Sequence, residues 1–390
     1  MLGTPFSPWP SFTREEADAV SRVLLSNKVN YWTGDECRQF EQEFAAWAHS
    51  AYAVALANGT LALDLALKAL GIGYGDEVIV TPRTFLASAS CVFTAGAVPV
   101  FAEVDRDTQN ITAETIRAVL SPRTRALICV HLAGMPCDMD PIMTLAAEHN
   151  LIVIEDCAQA HGARYKGRSV GSIGHVGAWS FCQDKIMTTA GEGGMVTTSD
   201  PDLWSRMWSY KDHGKSREAV YEKSHPPGFR WLHETFGTNW RMTEIQGVVG
   251  RIQLARMAQW TAARRAHANR VWQVARNLPG LRVPELPEWA EHAAYKCYVF
   301  VEPGALALDW SRDRIMHEIN QRGVPCFSGS CSEVYLERAF DGTGWRPEPR
   351  LPVARQLGET SLMFLVHPTL TASEIDKTCQ VLEEVMAMAR

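Results

Sequence analysis

Leu151-Ile152-Val153-Ile154-Glu155-Asp156-Cys157-Ala158-Gln159 runs four apolar residues straight into a pair of acids. So short a run, with no polar residue at alternate positions, predicts a strand over 151–155 buried on both faces. Strands of that kind belong to parallel sheets covered by helices. Upstream, 52–57, 77–81, 99–104 and 126–131 read the same way, rich in Val, Ile and Leu. Downstream, 177–182 and 194–198 are two further candidates, and helical stretches at 61–70, 86–95, 113–120 and 139–149 separate several of the strands. The expected fold class is α/β, a mostly parallel seven-stranded sheet between layers of helices.

A long helical region, 243–278, follows the last of these strands. Pro279-Gly280 and then Pro284 and Pro287 punctuate its end. The remainder mixes strand (295–301) with helix (312–322 and 372–389), and 340–352 reads as a loop. We expect a large domain over 1–265, including the N-terminal segment, and a smaller C-terminal α+β domain over 266–390.

The composition excludes several function classes. A net charge of -6 provides no basic face for nucleic acid. The ten cysteines contain no CxxC pair and no Cys/His cluster at zinc spacing, so neither a disulfide framework nor a metal site is expected. Met1-Leu2-Gly3-Thr4-Pro5-Phe6 lacks the basic and apolar regions of a signal peptide, and no apolar run reaches membrane-spanning length. The expectation is a cytoplasmic enzyme.

Three groups of residues point to chemistry. Asn58-Gly59-Thr60 joins a strand to an apolar helix, where free backbone N–H groups, a hydroxyl and a glycine suit an anion. The same residues also serve as ordinary helix caps. Glu155-Asp156 ends a buried strand, where ligands of open α/β sheets collect, and an acid there either caps a helix or holds a cationic ring nitrogen. The third group is Ser180-Phe181-Cys182-Gln183-Asp184-Lys185, followed by Gly191-Glu192-Gly193-Gly194. A lysine that forms a Schiff base needs a partly desolvated site, and this apolar, glycine-rich setting provides one. The bland alternative is a lysine whose ammonium snorkels to the surface.

Taken in order along the chain, these groups resemble the nucleotide-sugar aminotransferase family (the DegT–StrS group) of fold type I pyridoxal-phosphate (PLP) enzymes. The resemblance also takes in Gly34, Phe40-Glu41, Gly75-Asp76-Glu77-Val78, Thr84-Phe85, His131-Leu132-Ala133-Gly134, Gln159 and Asn239-Trp240-Arg241-Met242. It implies that Lys185 bonds covalently to pyridoxal 5'-phosphate and moves the proton between substrate and cofactor. Asp156 would bind the ring nitrogen, Phe85 would stack on the ring, and Gln159 would sit close to it. Gly59, Thr60 and Ser180 would hold the phosphate. Asn239 would reach it from the partner subunit of a homodimer with shared active sites, and Arg241 would meet an anionic part of the substrate or form a structural salt bridge. One stretch departs from the family, whose C-terminal domain often carries a His-Tyr pair near a proline. Here 324–331 reads Val-Pro-Cys-Phe-Ser-Gly-Ser-Cys. Ser330 is the candidate substrate contact in it.

The implied reaction moves an amino group from an amino acid, L-glutamate, to a keto group of a nucleotide-linked keto-sugar. The product would be an amino sugar for a surface polysaccharide, such as the O-antigen of lipopolysaccharide, or for a secondary metabolite. A keto-cyclitol is the nearest alternative acceptor. A non-catalytic sensor with this fold would need neither Lys185 nor Asp156.

Overall fold

The computed structural model describes residues 5–390; the expectation drawn from the first four residues lies outside them. All seven strands read from the sequence join one sheet: β1 (Tyr52–Leu56), β2 (Glu77–Val80), β3 (Val98–Phe101), β4 (Thr124–Val130), β5 (Ile152–Asp156), β6 (Val176–Ser180) and β7 (Gly194–Thr198), in the order β1-β7-β6-β5-β4-β2-β3. Only β7 runs against its neighbours β1 and β6. The other pairs are parallel. The reason is visible in composition, since β2 and β6 are buried at every position and β5 at all but its first, so helices must cover both faces.

Parallel alignment brings the carboxyl ends of β1, β5 and β6 to the same edge, and the antiparallel β7 adds its first residue, Gly194, to that edge. The turn after β1 opens helix α1 (Gly59–Ala69), whose Asn58 cap accepts the Leu61 N–H at 3.0 Å. That helix buries Ala62, Leu63, Leu65, Ala66 and Leu67 against the sheet, and its buried run explains why the helix forms here. A second helix, α2 (Ala87–Thr94), follows β2 and presents Ser88 toward the same edge.

Helix α3 (Glu244–Ala275) starts at a Thr243/Gln246 capping box and links two apolar cores. Leu254 and Met257 pack with Phe40, Phe44, Trp179 and Phe181 near the large sheet. Further along the helix, Ala268, Val271 and Trp272 pack with a second core. That core belongs to a four-stranded antiparallel sheet of β8 (Leu281–Arg282), β9 (Cys297–Val301), β10 (Cys326–Phe327) and β11 (Ser361–Phe364). Position 265, the expected boundary, therefore falls inside a continuous helix. Helix Pro352–Thr360 and strand β11 follow the expected loop and were not anticipated; the helix has too few apolar positions to show a period, whereas the apolar run that begins at Leu362 carries the strand. Among the described residues no helix is long and apolar enough to cross a membrane.

Candidate active site

A cavity of about 550 Å³ opens at the carboxyl edge of the large sheet. Its walls include Gly59, Thr60, Phe85, Asp156, Gln159, Ser180 and Lys185, seven residues drawn from four separate parts of the chain. The β1–α1 turn is pressed against the end of β6: a Cβ placed on Gly59 would lie 2.4 Å from the Ser180 Cβ. Gly194 is packed as closely from β7, where a Cβ would stand 2.2 Å from the Asn58 carbonyl oxygen. Only glycine fits either place. The result is a small cradle of helix-start N–H groups and two hydroxyls, Thr60 and Ser180, suited to a phosphate.

Asp156 sits at the floor, 5% exposed. Its Oδ2 accepts the Ser88 hydroxyl at 2.7 Å and its Oδ1 accepts the Ala158 N–H at 3.1 Å. Because that hydroxyl is spent on Asp156, the Thr84 hydroxyl donates to Ser88 at 2.8 Å and completes a relay. Burial pushes the Asp156 carboxyl up from its ordinary value, although Ser88, Ala158, His131 and Lys185 oppose the rise. Such a carboxylate gains most from a cationic partner in the cavity. Gln159 is fixed by the Ala133 N–H, which its Oε1 accepts at 3.0 Å. Phe85 is 71% exposed, a large aromatic face left open toward the cavity.

Behind the floor lies a fully buried hydrogen-bond network. His131 Nδ1 accepts the Cys137 N–H at 3.0 Å, which leaves Nε2–H to donate to Glu155 at 2.9 Å. Glu155 also accepts N–H groups from Gly171, Ile173 and Gly174 at 2.6–2.8 Å. Burial would raise this carboxyl, but His131 and those amides outweigh it and hold it below its ordinary range. With Cys157 these side chains form the one cluster of potential metal ligands among the described residues. The His131 nitrogens and Glu155 oxygens are already occupied by hydrogen bonds.

Three sequence candidates lie elsewhere. Asn239 is exposed on a segment bridged to Asp212, its Oδ1 accepting the Arg241 N–H at 3.4 Å. Arg241 is engaged by the buried Asp212 at 2.5 Å. Ser330 accepts the Lys296 ammonium at 3.4 Å and donates its N–H to the Tyr298 hydroxyl at 2.7 Å, outside the cavity wall. Sequence reading missed Ser88, whose only signal is its spacing of four from Thr84. It also missed Tyr295, whose hydroxyl donates to Asp184 at 2.5 Å across 111 positions of chain.

Residues 10–383 match the DegT/DnrJ/EryC1/StrS aminotransferase family. The chain belongs to that family. The dTDP-3-amino-3,4,6-trideoxy-alpha-D-glucose transaminase of Streptomyces venezuelae is 37% identical over 92% of this chain and 88% of its own. An aminotransferase of Psychrobacter cryohalolentis superposes with a TM-score of 0.98, is 68% identical, and covers 99% of this chain and all of its own. A Streptococcus pneumoniae chain solved in its PLP form is 25% identical with a TM-score of 0.86 over 99% of both chains. This DegT/StrS aminotransferase is a fold type I, PLP-dependent enzyme.

The cavity fits that cofactor. Its one tight phosphate cradle, its buried carboxylate in want of a cation and its open aromatic face stand around one lysine, as the donor set of PLP requires.

Proposed function

We propose that the enzyme transfers the amino group of L-glutamate to the keto group of a nucleotide-linked keto-sugar, giving an amino sugar for a surface polysaccharide or a secondary metabolite. The carrying observation is the meeting of Lys185, Asp156, Ser180, Gly59 and Phe85 on one cavity. The cofactor supplies a carbonyl carbon that takes up an amino group and a cationic ring that accepts electrons. Lys185 holds it covalently and, once released, carries a proton. Asp156 keeps the ring nitrogen protonated, and its Ser88 bond fixes the carboxylate's direction. The β1–α1 turn, Thr60 and Ser180 anchor the phosphate, and Phe85 stacks on the ring.

The acceptor assignment is supported by the sugar-nucleotide named in the Streptomyces venezuelae relative. Asn239 suits a homodimer with shared sites: its side chain is exposed on a strip that pairs with the end of β1 through the Leu56–Arg241 bridge. Arg241, held by Asp212, serves structure in this reading. We keep the division into a cofactor-bearing part, 1–265, and a smaller part, 266–390, as part of the same proposal.

The test is purified enzyme with glutamate and a panel of nucleotide keto-sugars and keto-cyclitols, followed by mass spectrometry. A gain of one amino group on a nucleotide sugar is expected. Amination of a cyclitol alone would replace the acceptor, and no amination at all would remove the transferase reading. Borohydride reduction and peptide mapping should place the cofactor's mass on Lys185.

A further inference from the structure

Lys185 is gripped at both ends by groups outside the proposed cofactor contacts. The Trp9 indole N–H donates to its carbonyl oxygen at 2.8 Å. Its ammonium donates to Asp184 Oδ1 at 3.2 Å, with Oδ2 at 3.5 Å, and lies 5.7 Å from the centre of the Tyr295 ring. Tyr295 is 8% exposed, and its N–H donates to the Ala133 carbonyl at 3.0 Å. Its hydroxyl occupies Asp184 Oδ2 at 2.5 Å. The Asp184 side chain is otherwise 62% exposed and lines both the cofactor cavity and a second cavity of about 630 Å³ walled by Trp9, Arg264, Tyr295 and Phe327. Without the tyrosine, nothing in this arrangement would keep the carboxylate turned toward the lysine rather than toward water.

We propose that Asp184, aimed by the Tyr295 hydroxyl, is the counter-ion that holds the Lys185 ammonium each time that amine is released from the cofactor. The inference rests on the aminotransferase reading of this site. The released amine takes the proton from the amino-bearing carbon of the substrate: a C–H bond breaks, an N–H bond forms, and the electron pair is left for the cofactor ring. The ammonium then gives the same proton to the cofactor carbon and is neutral again, so no proton is gained or lost. Between the two transfers a positive charge stands on Nζ. Ionisable groups that sense it include Asp156, His161 and Cys182, and Glu192 stands on the same cavity wall. Asp156 is committed to Ser88, Ala158 and the ring nitrogen, while burial drives His161 down to about 3 and leaves it neutral. Asp184 is the carboxylate already bonded to Nζ, and so the one placed to compensate. Asp184 and Tyr295 are positioning residues, acting through Lys185.

Asp184→Asn and Tyr295→Phe test this. The first readout needs no turnover: the rate at which apoenzyme captures PLP, followed by absorbance across pH. Capture requires the uncharged amine, so loss of the counter-ion should move its alkaline rise to lower pH in Asp184→Asn, and less far in Tyr295→Phe. A carboxylate with only a structural role would scale the rate alike at every pH. The second readout is the half-reaction with glutamate, where kcat should fall at least tenfold with little change in KM. An α-deuterium effect should grow, because proton transfer becomes the slow step. An unmoved capture profile, or an effect confined to KM for the sugar, overturns the proposal and makes Asp184 a substrate contact. Should the wild type show the capture shift against Asp184→Asn and yet aminate no sugar, the functional reading fails and the counter-ion role stands.

Discussion

Replacing Gly59 by alanine tests the phosphate cradle through one methyl group. The added carbon would stand 2.4 Å from the Ser180 Cβ, 2.8 Å from its Oγ and 2.9 Å from its Cα. Carbon atoms rest at about 3.5–4.0 Å, so either the turn or Ser180 must yield by roughly 1 Å. Neither yields easily. Ser180 is paired with Gly194 in β7, and the turn is braced on its other side by the Asn58 carbonyl lying against that same glycine. Forcing a methylene into such packing costs about 1–3 kcal/mol. Every 1.4 kcal/mol is a factor of ten, so the dissociation constant for PLP should rise by about 5- to 150-fold if the whole strain falls on the phosphate site. Titration of apoenzyme with PLP, read by absorbance, measures that share. Thermal unfolding of the apoenzyme measures the share that falls on the fold. If affinity stays within about twofold of wild type and apo stability is unchanged, the turn is not pressed on Ser180 and the cradle is misplaced.

Three further outcomes follow from the same geometry. Asp156→Asn should lower kcat by about 10²–10³-fold, since an amide cannot keep the ring nitrogen charged. Its apoenzyme should also reveal the cost of burial. The Asp156 carboxyl is raised in the folded apoprotein, so its contribution favours the fold at low pH and is lost as pH rises through that raised range. The asparagine does not ionise, and apo Asp156→Asn should gain on apo wild type in unfolding experiments between acid and neutral pH; a flat difference would refute the strain. Glu155→Gln should cost about 1–3 kcal/mol of stability in denaturant unfolding, because its amide NH₂ would face two donors, either His131 and Gly171 or Ile173 and Gly174, depending on which oxygen it replaces. Mixing a Lys185→Ala protein with one inactivated at Asn239 should restore up to roughly half of wild-type activity per mixed dimer after subunit exchange. No recovery, with exchange demonstrated, would mean that each site is built from one chain.

The sequence by itself determined the sheet. The seven strands were legible because burial on both faces, complete in β2 and β6 and nearly so in β5, demands apolar runs, and the glycines and acids at their ends stand out against that background. The strand-end segments holding Gly59, Thr60, Asp156 and Lys185 were legible from their residues, the roles of Phe85, Gln159 and Ser180 came from the family resemblance, and all seven line one cavity. The helix bounds differ by up to three residues, where caps rather than periodicity decide them. Tertiary structure alone decided which partner each polar group takes. Arg241 pairs with Asp212, and Ser330 lies with Lys296 and Tyr298 rather than on the cavity, because both engage groups brought close by folding. The Thr84–Ser88–Asp156 relay and the Tyr295–Asp184–Lys185 chain leave no sequence period to read. Apolar burial is written in the chain as a repeating pattern, whereas a hydrogen bond depends on two atoms meeting at about 3 Å, and only the folded backbone brings them there.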